Sequence, residues 1–289
     1  MNKRLISILG GLGGMFGWGT SDFFANQASD KVGHTKALFW SQIAGILLIL
    51  LVVLFVGPSF ALTPYLVFLI IVCGIAYALG YLYFYNAFEI GNVSVVSAVI
   101  NSQNIFIVAI AYFLFGQRLT PFQIPALLLI VIGIIMISVD FKELKSGGAS
   151  LVKGVKETLT AAVMFGALYW PINEYVAERA DWLIVTLLVK AVAIASVYLI
   201  ARFKSQKLSF PEKGSIKKII IAVGLLEALG VLATSYGVAY GDSIIVGPIA
   251  SPLTVVTVTL AFIFLKEKLK RAQWAGIAVV VIGIILSGF

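Results

Sequence analysis

The chain has 289 residues; 61% are hydrophobic, only 12% are charged, and the formal net charge is +8. A soluble domain carries roughly 25% charged residues, so this composition excludes a disordered chain and argues against a soluble enzyme. One cysteine, Cys73, excludes an intrachain disulfide and a thiolate metal cluster, and one histidine, His34, leaves almost no material for histidine-based metal or triad chemistry.

A membrane-crossing helix needs about 20 mainly apolar residues. Ten such segments are predicted, near 5–27, 36–56, 64–88, 92–115, 121–139, 155–177, 182–202, 217–240, 243–265 and 271–289. A polar stretch from Asp140 to Ser150 separates the fifth from the sixth. Turn chemistry is expected at Gly57 and Pro58, Gly91 and Asn92, Leu119 to Pro121, Ser209 to Pro211, and Gly241 and Asp242. Lys3 and Arg4 ahead of the first apolar run mimic a signal peptide, but the spans that follow favour an uncleaved first helix. The longest connection, about 203–216, is too short for a folded domain, so the protein acts within the membrane. The expected fold is an all-α integral membrane protein.

Self-comparison reveals an internal repeat. At a shift of 150 residues, Gly74 falls on Gly224, Gly80 on Gly230, Gly91 on Gly241, Gln123 on Gln273, and Val131 to Ile135 on Val281 to Ile285. Earlier, Met15 to Gly17 matches Met164 to Gly166 at a shift of 149. The units are read as 1–145 and 151–289, each with five spans. Five is odd, so the second unit enters the membrane in the opposite sense. Inverted repeats of this kind suit alternating access around a central site, although a channel can also use them.

The first helix reads Gly17-Trp18-Gly19-Thr20-Ser21-Asp22. Each unit ends in a short basic or polar turn, a glutamine and a glycine-containing apolar helix: Gly116 to Gln123 with Gly133, and Lys266 to Gln273 with Gly283. The chain thereby resembles the EamA-type drug/metabolite transporters, whose halves commonly carry a Gly-Glu-Arg/Lys-Leu turn there. The first unit has Gln117 where glutamate is usual, and the second keeps Glu267 but has Lys266 for the glycine. The resemblance implies a carrier of small metabolites, often working outward. It also implies a central cavity lined by the third, fourth, eighth and ninth helices with the first and sixth, and a location in the plasma or inner membrane.

An ionisable side chain deep in a membrane is costly and is a functional hypothesis by default. Asp22, Lys190 and Glu227 meet that description. One reading gives them substrate-charge recognition or coupling to H+; the other gives a structural Lys190–Glu227 ion pair and makes Asp22, closer to a helix end, a solvated or capping residue. Tyr77, Tyr81 and Tyr85 share one helical face, and Tyr77 is the repeat-mate of Glu227, so an aromatic and an acidic face can oppose each other across the pseudo-axis. Ser94, Ser97, Asn101 and Asn104 form a polar stripe that must face protein or water. Its mates are Ile244, Gly247, Ser251 and Thr254, flanked by Pro248 and Pro252. The stripe reads either as cavity lining or as helix adhesion. Trp18 and Trp170 are suited to stacking on planar or cationic substrates or to anchoring at the membrane interface. Gln42 lies near the position matching Lys190. The glycines of the first helix lack the Gly-Lys-Ser/Thr of a phosphate loop and are read as close-packing positions.

The leading expectation is a secondary carrier of an amino-acid-, nucleobase- or drug-like metabolite, without a cofactor, as a monomer or homodimer. Substrate would meet Trp18, Tyr77, Tyr81, Asn101, Asn104, Trp170 and Ser251. A channel and a membrane-embedded lipid-modifying enzyme are the other classes; the enzyme lacks the clustered carboxylates a metal site needs. The basic excess reflects topology rather than nucleic acid. One face carries Lys31, Lys36 and the lysines and arginines of the later odd-numbered connections, whereas the other holds only Lys3, Arg4, Arg118 and Arg179. The positive-inside rule then puts both termini outside the cytoplasm, whereas the family resemblance implies cytoplasmic termini.

Overall fold

The computed structural model describes residues 2–59, 61–113, 120–138, 151–241 and 243–287. The predicted turn at 116–119, the polar stretch at 140–150 with the unit boundary at 145, Asp242, and the side chains of Ile244 and Pro248 lie outside the described residues. No strand forms among the described residues. The first half contains α1 (Lys3–Val32), α2 (His34–Val56), α3 (Pro64–Ile90), α4 (Val93–Val99), α5 (Gln103–Phe113) and α6 (Gln123–Ser138). The second contains α7 (Val155–Val163), α8 (Trp170–Ala177), α9 (Trp182–Phe203), α10 (Gly214–Tyr240), α11 (Ser243–Ala250), α12 (Leu253–Leu260) and α13 (Arg271–Ser287). A tight turn, Ile100–Ser102, joins α4 to α5, and a wide helical turn, Met164–Tyr169, joins α7 to α8.

Among the described residues, five helical stretches are long and apolar enough to cross a membrane: His34–Val56, Pro64–Ile90, Val93–Ile110, Trp182–Phe203 and Gly214–Tyr240. Gln123–Ser138, Leu253–Leu265 and Arg271–Leu286 are shorter apolar helices. Exposure runs opposite to that of a soluble protein. Phe55 and Phe203 are 84% and 87% exposed, while Ser29, Ser41 and Ser97 are buried. A surface this apolar needs lipid rather than water against it.

Local chemistry sets the helix ends. Thr63 Oγ1 accepts from Leu66 N at 3.3 Å and Pro64 occupies the first position of α3, where a missing N–H costs nothing. Asp181 Oδ1 accepts from Leu183 N at 2.9 Å and so caps α9. Gly57 ends α2 in the left-handed region, with φ of 64°.

The two halves meet through small residues. α1 runs antiparallel to α10, with Gly10 against Gly237 and Gly17 against Gly230, which accounts for the glycine-rich first helix. α6 crosses α13 in the same manner. A Cβ on Gly133 would lie 2.7 Å from Gly276 O, and one on Gly283 would lie 2.8 Å from Ala126 O. In the 150-residue register Gly133 pairs with Gly283 and Ala126 with Gly276, so each contact is the other's image. The repeat is thus a geometric pseudo-two-fold as well as a sequence pattern.

The helix breaks obey the same register. Ile100–Ser102 interrupts the fourth helix, and within its mates, Ala250 to Pro252, Ser251 and Pro252 separate α11 from α12. Pro252 has no N–H to continue the α-helical ladder. In the first half Asn101 takes that part: its Nδ2 donates to Ser97 O at 2.9 Å and to Ala98 O at 3.2 Å, competing with the backbone for the carbonyls of the preceding turn.

Candidate functional site

Four polar side chains meet in the middle of the molecule. Lys190 on α9 pairs with Glu227 Oε2 on α10 and donates to Gln42 Oε1 on α2 at 2.9 Å. Tyr77 on α3 donates to the other carboxylate oxygen, Oε1, at 2.6 Å. Lys190 and Glu227 are each 2% exposed. An unpaired charge at such depth would be prohibitively costly, and the pair with its two further hydrogen bonds offsets that cost. The structural ion pair envisaged from sequence therefore forms. Tyr77 and Glu227 are repeat-mates 150 residues apart, and Gln42 and Lys190 stand 148 apart in the weaker early register.

A cavity rests on this knot. Trp18, Tyr169 and Trp170 form its aromatic wall, Asn173 and Thr186 its polar edge, and Tyr77 and Lys190 its floor. The two tryptophan rings stand edge to face, with centroids 6.3 Å apart. Tyr169 bridges them to the floor, 5.0 Å from Trp170 and 5.0 Å from Tyr77. The ammonium of Lys190 lies 5.9 Å from the Tyr77 ring centre. Asn173 precedes the end of α8 by one turn, Thr186 follows the start of α9 by one turn, and Ser235 lies near the end of α10. These ends share the face on which α1 begins, so the cavity reaches down to Lys190 from the terminal face. Its volume is about 40 Å³, room for a few waters but not for a metabolite.

The opposite face is tied shut. Glu267, in the connection before α13, accepts from Val93 N at 2.7 Å, Ser94 N at 3.2 Å and Ser94 Oγ at 2.5 Å. The carboxylate sits where the first N–H groups of α4 converge, which favours negative charge. Asn26 Nδ2 donates to Phe88 O at 2.6 Å, and Glu89 accepts from His34 N at 2.7 Å.

Of the residues singled out from sequence, Trp18, Tyr77, Trp170 and Lys190 border the cavity, and Glu227 lies directly beneath it. Tyr81 packs on Tyr77 and Phe165, with centroids 4.5 and 5.0 Å away. Asn101 lies between helices, its amide donating to Thr254 Oγ1 at 2.8 Å. Asn104 is half-buried on α5, and Ser251 returns its hydroxyl to Gly247 O at 2.8 Å. Asp22 is 8% exposed, lies close enough to Glu227 to feel its charge, and has no hydrogen bond among the described residues. Sequence reasoning passes over Thr186 and Thr234 as cavity residues. Thr186 stands four residues before Lys190 and Thr234 seven after Glu227, so helical spacing from the charged pair is the signal that finds them. No group of three or more metal-ligating side chains occurs among the described residues.

Two apolar helical halves related by a pseudo-two-fold, broken helices at matching positions and a polar centre at mid-depth define a polytopic membrane protein of the transporter class. Matches to the EamA-like transporter family cover residues 5–139 and 154–289, and the chain belongs to that family. It is a membrane transporter of small metabolites. It is 26% identical over 245 residues to purine permease 3 of Arabidopsis thaliana, covering 77% of this chain and 69% of the plant protein. A shorter match, 39% identical over 66 residues, links it to an uncharacterized protein of Methanocaldococcus jannaschii, covering 23% of this chain and 48% of that protein. A solved crystal structure superposes with a TM-score of 0.67 over 97% of this chain and 96% of that chain, at 16% identity; it shares the fold.

Proposed function

We propose that the protein is a ten-span secondary carrier in which two inverted five-span units, 1–145 and 151–289, give alternating access to the centre. The observation that carries this reading is the Lys190–Glu227–Tyr77–Gln42 knot: mated residues from both halves meet each other at the floor of the cavity. The joined helices on either side of the breaks at Ile100–Ser102, Met164–Tyr169 and Ser251–Pro252 support the count of ten. A cavity smaller than a metabolite is consistent with a contracted state that widens to load.

The substrate is a planar heteroaromatic metabolite of the nucleobase kind. Aromatic faces at Trp18, Tyr169 and Trp170 suit a flat ring, and Asn173, Thr186 and Lys190 suit its polar edge. The purine permease likeness supports the same class. Transport runs outward across the plasma or inner membrane and couples to H+ through Asp22 and Glu227, the deep carboxylates. The test is counterflow in proteoliposomes against nucleobases, amino acids and cationic drugs. Saturable, trans-stimulated exchange of a nucleobase is expected; uniform single-channel currents would instead mean a pore. In Glu227→Gln, pH-driven transport should disappear, and its persistence would remove H+ coupling from that residue.

A further inference from the structure

The connection from α9 to α10 concentrates charge in a way that the repeat does not require. Six cations, Arg202, Lys204, Lys207, Lys213, Lys217 and Lys218, stand there against one carboxylate, Glu212. The counterpart between α2 and α3, residues 57–63, carries no charged residue. All the cations but Lys217 are exposed, and none of the six forms a salt bridge among the described residues. Their mutual repulsion is therefore not balanced from within the protein.

Topology asks only that such cations lie on this face. The fold also fastens them in place. Trp40, near the start of α2, donates its indole N–H to Leu208 O at 2.9 Å, and its ring centre lies 4.6 Å from that of Phe210. Phe39 extends the series, 5.4 Å from Trp40 and 6.3 Å from Tyr198 on α9. The Lys217 ammonium lies 5.4 Å from the Phe210 ring centre. Gln206 N donates back to Ala201 O at 2.8 Å and closes the end of α9. Aromatic rings of this kind gather at the level where lipid headgroups begin. The cations are thus held beside that level, and on the same end of α9 the rings of Phe203 and Tyr198 are exposed.

We infer that this connection binds an anionic phospholipid of the adjoining leaflet, with its phosphate among Lys204, Lys207 and Lys213 and its chains along Phe203 and Tyr198. A cluster of cations directly beside a membrane helix attracts anionic lipid, each cation near the surface strengthening the attraction roughly fivefold. The surface offers something to both parts of such a ligand: ammonium groups for the headgroup and exposed rings for the chains. A nucleic acid or an acidic protein would use the charge but leave the rings at the bilayer unused. The site is separate from the central cavity and does not depend on which substrate that cavity takes.

The test titrates the full chain, in a neutral detergent, with phosphatidylglycerol, phosphatidylcholine or glycerol phosphate and reads the thermal unfolding midpoint. A ligand that binds the folded state raises that midpoint. Phosphatidylglycerol should raise it more than phosphatidylcholine, and glycerol phosphate should leave it unchanged. In the triple variant Lys204→Gln, Lys207→Gln, Lys213→Gln the apparent affinity for phosphatidylglycerol should fall by roughly tenfold or more, with the response to phosphatidylcholine kept. Lys3→Gln with Arg4→Gln, on the terminal face, should behave as the unsubstituted chain does. In about 1 M salt, where the screening length is about 3 Å, the preference for phosphatidylglycerol should vanish in the unsubstituted chain, an arm that needs no variant to fold. Equal responses to the two lipids, or a preference that survives either the triple variant or the salt, would overturn the site. A midpoint raised as much by glycerol phosphate would make the ligand a soluble anion and overturn the lipid assignment.

Discussion

Lys190 and Glu227 illustrate how a membrane interior makes one charge depend on another. Each is nearly inaccessible, and each neutralises its partner. Removing one side leaves the other charge buried and alone, an effect of about 3–5 kcal/mol. Lys190→Met should therefore lower the thermal unfolding midpoint of the purified protein sharply. Adding Glu227→Leu to that variant should restore most of the loss, since two well-packed apolar residues tolerate the site better than one orphaned charge. If the double variant melts no higher than Lys190→Met, the pair is not what holds this region together. Transport should fail in both variants, because the floor of the cavity has lost its polarity.

Glycines and caps do the corresponding work between helices. α6 and α13 approach closely enough that Gly276 has no room for a side chain: its Cβ would lie 2.7 Å from Ile137 Cγ1 and 2.8 Å from Gly133 O. Forcing bulk into such a crossing costs about 1–3 kcal/mol, so Gly276→Leu should reduce thermal stability and the yield of folded protein in detergent. Glu267 joins elements more distant in sequence, its carboxylate holding the first N–H groups of α4 from the connection before α13. Losing a charged cap costs about 1–2 kcal/mol. Glu267→Ala should show that loss in a melting curve, and Glu267→Gln should recover part of it, because an amide oxygen still accepts. Equal melting of all three proteins would mean that α4 begins where it does without this carboxylate.

The molecule as a whole has two faces that differ in charge and in closure. Lysines and arginines gather on the face opposite the termini, the face where Glu267 and Asn26 hold the structure closed. We propose from the positive-inside rule that this face is cytoplasmic, which would open the described cavity to the outside. A topology reporter fused after Phe289 should be active on the extracytoplasmic side; a cytoplasmic signal would reverse the assignment and with it the direction in which the cavity faces. The pseudo-two-fold makes either orientation mechanically equivalent, which is why charge rather than shape decides it.

Much of this architecture is local and so could be read from the chain alone. An apolar run of membrane length declares a span, a constant shift of 150 declares the repeat, and an ionisable residue within an apolar helix stands out as Lys190 and Glu227 do. Even the opposition of Tyr77 and Glu227 followed from their being mates, since a two-fold brings equivalent faces together. Partnership over long distances could not be read this way, because it depends on how helices rotate and cross. Asn101 is the instructive case. Its place in a polar stripe required protein or water opposite, yet only packing chose Thr254 and the backbone as its partners in this conformation. Glu267 looks from the sequence like one charge in a basic turn, and only the fold delivers it to α4. The sequence by itself determined the apolar helices, the duplication and the deep charges, because burial in lipid penalises each residue according to its own chemistry. The tertiary structure alone decided which charges pair, which helix carries the cap and which face is open, because those depend on the relative placement of helices that the sequence pattern leaves free.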